Sequence, residues 1–185
     1  MAVGLYGGAF DPPHAGHVAL AERAKERFSL PRLTVLVSER PGHKDVDLPA
    51  HVRLELARAA FPDDDVRLDP YPRTIDLLRG ERFDDPLFFV GADEFVDFLT
   101  WKEPEAVLEL TRLAVATRPG FDRGLLDVVI RNLRQPERVV FFEIEPTPVA
   151  SRDLRAAIAA GAPLSGLVPE GVERLIRERG LYGPD

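Results

Sequence analysis

The sequence predicts an α/β fold, a Rossmann-like doubly wound parallel sheet with helices flanking it. Two observations carry this. Short apolar runs alternate along the chain with longer stretches of helical period, as in βα units wound around a parallel sheet. The 185 residues suit one compact domain with a sizeable core, and 45% hydrophobic with 30% charged residues is ordinary globular composition, unlike that of collagen-like, low-complexity or disordered chains.

In chain order, the first strand is Val3 to Tyr6, an apolar run that meets two glycines. A helix over Val18 to Phe28 follows, then a strand rich in β-branched and leucine residues, Leu33 to Val37. Ala50 to Phe61 has helical period and Val66 to Leu68 is a short strand. Ile75 to Leu78 is a brief helix before Leu87 to Val90, whose unbroken apolar run is that of a strand buried on both faces. Pro104 to Leu110 opens with a proline, favoured in a helix's first turn, and leads to the strand Leu113 to Ala116. Leu125 to Leu133 and Val139 to Ile144 repeat the helix and strand, and helices near Ser151 to Ala160 and Glu170 to Arg179 close the chain.

The acidic triplet Asp63 to Asp65 reads as a solvated turn before a strand. GAPLSGLVPEG, residues 161–171, reads as a bend, with Val172, Leu175 and Ile176 packing on the sheet. No internal repeat or Gly/Ser-rich linker marks a boundary, so residues 1–185 are expected to form a single domain with the helices from about 151 packed on it.

Charge excludes some function classes. Lys and Arg number 24 against 31 Asp and Glu, a net charge of −7, which argues against nucleic-acid binding but allows a small local phosphate site. The absence of cysteine excludes disulfides, thiolate metal sites and a cysteine nucleophile. The longest uncharged stretch, Ala156 to Pro169, contains Gly161, Pro163, Gly166 and Pro169 and is too short for a membrane span of about 20 residues. The N-terminal uncharged run ends at Asp11 and lacks the basic start of a secretory signal. The expectation is a cytoplasmic protein with no nucleic-acid or membrane partner; a homo-oligomer stays open.

The chemistry concentrates in GGAFDPPHAGH, Gly7 to His17, directly after the first strand. Two adjacent glycines permit a turn in which backbone N–H groups reach a ligand with no Cβ in the way. Pro12 and Pro13 stiffen the loop, and Gly16 lets the chain return closely as the helix begins. His14 and His17, three residues apart, share one face of that helix start. N–H donors, helix dipole and imidazoles then converge at a strand's C-terminal end, a donor set suited to polyphosphate. The plain alternative is a tight βα turn with two surface histidines. Zinc ranks lower, because zinc helices use HExxH and HAGH has no acid between its histidines, so no metal site is expected.

This loop resembles the GxFDPxHxGH-type motif of adenylyltransferases in the nucleotidylyltransferase superfamily. From Val3 to Tyr182 the chain is similar to the bacterial nicotinate-nucleotide adenylyltransferase family, which implies a nucleotidylyltransferase-type sheet. The resemblance places Gly7, Gly8, Phe10, His14 and His17 at ATP. SERPGHK, Ser38 to Lys44, is similar to the family's PPHK segment, with Gly42 for its second proline; Lys44 is implied to be catalytic together with His14 and His17. PRTIDLL, Pro72 to Leu78, resembles SYTxDTL, which helps enclose the nicotinate: Thr74 and Asp76 match, while Arg73 and Leu77 replace a tyrosine and a threonine.

In GADEFVDFLTWK the resemblance implies that Gly91 and Asp93 bind ATP, Asp93 through ribose hydroxyls, and that Trp101 stacks on the nicotinate. Arg118 also matches and is read as structural or adjacent to the site. VASRDLR, Val149 to Arg155, resembles ISSTxIR, whose helix N-terminus and arginine grip the ATP phosphates; Ser151 and Arg155 match, while Ala150 and Arg152 replace Ser and Thr. Without the resemblance, Thr74 and Ser151 read as helix caps, Asp76 and Asp153 as first-turn acids, and Trp101 as a core aromatic.

The implied reaction is attack by the 5′-phosphate of nicotinate mononucleotide on the α-phosphorus of ATP, giving deamido-NAD and pyrophosphate. A phosphate monoester has a second pKa of about 6 and needs no protein base. The site must align two anions and stabilise charge moving onto pyrophosphate. ATP and a mononucleotide are the expected partners, and Mg²⁺ is expected to arrive on ATP oxygens and water. Two alternatives stay open: another phosphorylated acceptor, nicotinamide mononucleotide or pantetheine phosphate, and a nucleotide-binding sensor without turnover, motivated by Leu77, Ala150 and Arg152. A metal-dependent hydrolase is the third.

Overall fold

The computed structural model describes residues 2–42 and 45–183; Lys44 lies outside them. Six strands, β1 (Val3–Gly8), β2 (Leu33–Ser38), β3 (Asp65–Asp69), β4 (Pro86–Gly91), β5 (Arg112–Thr117) and β6 (Val139–Glu143), form one sheet in the order β3-β2-β1-β4-β5-β6. Every neighbouring pair is parallel. The helices are α1 (Ala15–Phe28), α2 (Ala50–Ala60), α3 (Thr74–Gly80), α4 (Ala92–Val96), α5 (Pro104–Leu110), α6 (Arg123–Arg131), α7 (Ser151–Ala159) and α8 (Glu170–Arg179). The chain winds outward from β1 to β3, then returns to lay β4 on the other side of β1. The crevice beyond the C-terminal ends of β1 and β4 is therefore the topological switch point, where open α/β sheets bind ligands.

Successive strand residues point to opposite faces, and both faces are covered. Tyr6 and Phe89 enter one apolar layer with Leu20 of α1, Leu56 of α2, Leu154 of α7 and Val172 of α8. Leu5, Phe88 and Val90 enter the other with Ile75 of α3, Val107 of α5 and Leu126 of α6. This two-sided cover is why β4, buried from Pro86 to Val90, is apolar throughout.

Several local expectations change. β1 runs on through Gly7 and Gly8, which pair with Leu36 and Val37 of β2, so the glycines are strand residues. The left-handed residue of the following turn is Phe10, at φ 51°. Its ring folds back over Gly8, where a Cβ would stand 2.7 Å from a ring carbon. The glycine there makes room for an aromatic ring.

α4 and the 3-10 turn Phe98–Thr100 are too short to show a helical period and were not expected. The turn before β3 is present with Asp63 and Asp65 exposed, but Asp64 turns inward. Its side chain is 1% exposed, accepts the Leu33 N–H at 2.8 Å and pairs with the Lys25 ammonium at 3.3 Å, tying the end of α1 to the start of β2. α8 packs on α2, with Gly171 against the Ala59 backbone; Val172 and Ile176 are buried and Leu175 is only partly so. The connection before α8 reaches α1, where the Ala15 N–H donates to the Leu167 carbonyl at 2.9 Å, satisfying one unpaired donor of that helix end.

Candidate active site

A cavity of about 970 Å³ opens at the switch point, large enough for a nucleotide pair. Gly7, Gly8, Phe10, His14 and His17 line it from β1 and α1, and Ser151 and Arg155 from α7. Thr74, Gly91, Asp93 and Trp101 line it from the α3 and α4 side. Every site residue read from the sequence, Lys44 aside, thus meets in one place. A Cβ at Gly91 would meet nothing within 4 Å, so this strand end offers open space to a ligand.

The two histidines sit differently. His14 is the N-cap of α1 and His17 the third residue of the helix. The His14 N–H donates to Nδ1 of His17 at 3.2 Å, so the proton of a neutral His17 ring belongs on Nε2. The rings stack with centroids 3.7 Å apart and planes at 27°. Phe10 meets the His17 ring at 5.1 Å, and Gly16 admits the stack, since a Cβ there would stand 3.1 Å from the His14 ring. His14 is only 9% exposed, and burial pulls its pKa down to about 4. It is not a surface histidine, and near neutral pH it carries no charge.

Beneath the pair lies a junction built on Asp11, which is 2% exposed. Its Oδ1 accepts the Tyr182 hydroxyl at 2.7 Å and its Oδ2 accepts the Asp47 N–H at 2.5 Å. Burial and the neighbouring carboxylate push the Tyr182 phenol far above its usual range, so it remains a donor. Arg155 donates through Nη1 to the Asp11 carbonyl at 2.9 Å and pairs through Nε with the Asp47 carboxylate at 3.2 Å. Arg53, 1% exposed, donates to the carbonyls of Ala9 and Leu48 at 2.7 and 2.9 Å. Ser151 Oγ donates to the Pro12 carbonyl at 2.9 Å.

Sequence reasoning missed Asp11, which lines the cavity, and its supports Arg53 and Tyr182, which hold the loop without lining it. Arg53 had left a signal: it lies at i, i+3, i+4, i+7 spacing with the buried Leu56, Ala57 and Ala60, a charge on the apolar stripe of α2. Ser151 and Thr74 are not caps, because Ala150 and Arg73 hold the cap positions and the hydroxyl residues begin α7 and α3.

On the opposite wall, Trp101 is braced edge-on by Phe98 at 5.2 Å and Phe88 at 6.5 Å. Lys102 pairs with Asp76 at 2.7 Å. Arg118 lines the cavity and donates to the Asp93 carboxylate at 2.7 Å, so it belongs beside the site. Gly42 has φ 65°, a value closed to proline, and a Cβ there would stand 3.6 Å from Nη1 of Arg73; two departures from the family pattern are neighbours. Leu77 is buried in the core and is not part of the cavity wall. Among the described residues no group of three or more His, Asp or Glu side chains is placed to hold a metal ion. Among the described residues no helix is long and apolar enough to cross a membrane.

A family model described as cytidylyltransferase-like matches residues 5–157, from β1 into α7. A relative from Rubrobacter xylanophilus named "Probable nicotinate-nucleotide adenylyltransferase" is 34% identical over 200 residues, covering 100% of this chain and 94% of that protein. One of the same name from Thermus thermophilus is 36% identical, over 98% of this chain and 100% of its own. The chain belongs to the cytidylyltransferase-like family, in its nicotinate-nucleotide adenylyltransferase branch. The fold agrees with that of solved adenylyltransferases. The Plasmodium falciparum nicotinic acid mononucleotide adenylyltransferase complexed with NaAD superposes with a TM-score of 0.74 at 15% identity, over 98% of this chain and 97% of that one. A putative nicotinate-nucleotide adenylyltransferase from Vibrio parahaemolyticus gives 0.64 at 19% identity, over 100% and 96%.

Proposed function

We propose that this chain transfers the adenylyl group of ATP to nicotinate mononucleotide, forming deamido-NAD and releasing pyrophosphate, as an enzyme of NAD biosynthesis. The observation that carries this is the course of the cavity over the sheet's C-terminal edge. On one side it is lined by stacked imidazoles and Arg155, with α1 and α7 packed on the first apolar layer. On the other it is lined by Trp101 and Thr74, beside the second layer. A triphosphate and an aromatic mononucleotide can lie end to end across it.

An oxygen of the acceptor's 5′-phosphate bonds to the α-phosphorus, and the bond from that phosphorus to pyrophosphate breaks, its electron pair leaving with pyrophosphate. The nucleophile is already ionised, so the protein contributes alignment and charge stabilisation. His17 donates from Nε2 to a phosphate oxygen, and His14, kept neutral by burial, adds a donor without charge. Arg155 supplies a cation toward the leaving group, and Lys44 is assigned a second. Gly7, Gly8 and Phe10 form the floor, Gly91 and Asp93 take the ribose side, and Ser151 ties α7 to the phosphate loop. Thr74 and Trp101 enclose the acceptor ring.

Mg²⁺ is assigned to ATP, with phosphate oxygens and water as its ligands. It supplies neutralisation of the phosphate charge. The reading is of a cytoplasmic, single-domain enzyme whose partners are ATP and nicotinate mononucleotide, with no role for nucleic acid or membrane. A pyrophosphate-release assay with ATP and a panel of nicotinate mononucleotide, nicotinamide mononucleotide and pantetheine phosphate tests it. The highest kcat/KM is expected with nicotinate mononucleotide. Preference for another acceptor, or ATP binding with no release for any of them, would overturn the assignment.

A further inference from the structure

We propose that Tyr182 is a positioning residue for ATP, acting through Asp11 to keep Arg155 available to the phosphates. The inference rests on the adenylyl-transfer reading and adds a residue far from the reacting atoms.

The backbone beyond α8 is turned to deliver this phenol. Gly180 ends the helix at φ 61°, and Tyr182 itself is left-handed at φ 60°, a conformation uncommon for a bulky residue and kept where its surroundings hold it. The holding contact is the 2.7 Å bond to Asp11 Oδ1, made across 171 positions of sequence. With the Asp47 N–H on Oδ2, each carboxylate oxygen of a buried acid has its donor.

Arg155 depends on the same acid. Two of its contacts, the Asp11 carbonyl and the Asp47 carboxylate, belong to residues that the Asp11 side chain fastens together. Its Nη1 also makes a long ion pair with Asp11 Oδ2 at 3.9 Å, which a turn of the carboxylate would shorten. The Tyr182 hydroxyl therefore holds the carboxylate in an orientation that keeps this pair long and leaves the guanidinium to ATP. Without that hydroxyl, Asp11 is left with an unpaired buried oxygen, and turning toward Arg155 is the nearest remedy.

The test is Tyr182→Phe, which keeps the ring and removes the donor. Calorimetric ATP binding is read beside steady-state kinetics and thermal melting. The expected result is a Kd and a KM for ATP each raised about tenfold, with the KM for nicotinate mononucleotide within about twofold of wild type. In an Arg155→Ala background the same substitution is expected to change ATP binding by less than about threefold, because its route is already cut. Asp11→Asn added to Tyr182→Phe removes the carboxylate that draws on Arg155, and the double variant is expected to bind ATP more tightly than Tyr182→Phe alone.

A fall in kcat alone, with ATP affinity unchanged, would show only lost folded enzyme and overturn the proposal. So would a full tenfold effect persisting beside Arg155→Ala, or no recovery of ATP affinity when Asp11→Asn is added to Tyr182→Phe. The wild-type turnover assay is separate: no pyrophosphate release with any mononucleotide sinks the transferase reading, whereas unchanged ATP binding in Tyr182→Phe sinks this one.

Discussion

His14 and His17 stack face to face at the first turn of α1, and the backbone N–H of one fixes the ring nitrogen of the other. Nε2 of His17 is thereby set as the ring's donor before any ligand arrives. Preorganised donors act on the charge that develops in the transition state, and losing one typically costs about 10²–10³ in kcat. His17→Ala is expected to lower kcat by that order with a smaller change in the KM for ATP. Single-turnover measurement at saturating ATP checks it, and an unchanged chemical step would remove His17 from the reacting centre.

The buried member of the stack gives a pH dependence of stability. Folding lowers the pKa of His14 from 6.5 to about 4, so between these values the unfolded chain holds a proton that the folded chain does not. Stability therefore rises with pH across that window, is fully present above about pH 6.5 and is lost as pH falls toward 4. The loss attributable to this residue is on the order of 3 kcal/mol. Urea unfolding of wild type and His14→Asn at pH 4.5 and 7.5 measures it. The variant is expected to lose less stability on acidification, and equal losses would refute the assignment.

At Gly8 an added methyl group would meet the Phe10 ring at 2.7 Å. Gly8→Ala therefore forces the ring from its place beside His17 and against the core. A destabilisation of about 1–3 kcal/mol is expected, the usual range for overpacking. Because Phe10 lines the cavity, the KM for ATP is expected to rise as well. Thermal melts and ATP titration together check this; a variant with wild-type values in both would mean the ring moves freely.

Trp101 makes a prediction for the other substrate. Trp101→Ala is expected to raise the KM for nicotinate mononucleotide about tenfold while leaving the KM for ATP nearly unchanged, consistent with the roughly 0.5–1.5 kcal/mol of an aromatic pair plus lost apolar contact. Trp101→Phe is expected to recover part of the loss. An equal effect on both substrates would assign Trp101 to the core through its contacts with Phe98 and Phe88.

The alternation of strands and helices was legible because it is written in local periods. Leu87 to Val90 is apolar at each position since both its neighbours are apolar layers, and no distant information is needed to read it. The loop that lines the cavity was legible for a similar reason, its special residues being contiguous from Gly7 to His17. Short elements such as α4 escaped because five residues do not complete two turns.

By itself, the sequence determined the sheet's class and the loop that opens onto the cavity, because hydrophobic period and turn chemistry act between residues a few positions apart. Tertiary structure decided which side chains satisfy one another across the chain. Asp11 takes its donors from Tyr182 and Asp47, Asp64 is buried by α1 and β2, and Gly8 is needed for a ring two residues on. Period marks which face of an element is apolar and is silent on what that face meets; a buried charge is placed by its partners, and those come together only when the chain has closed.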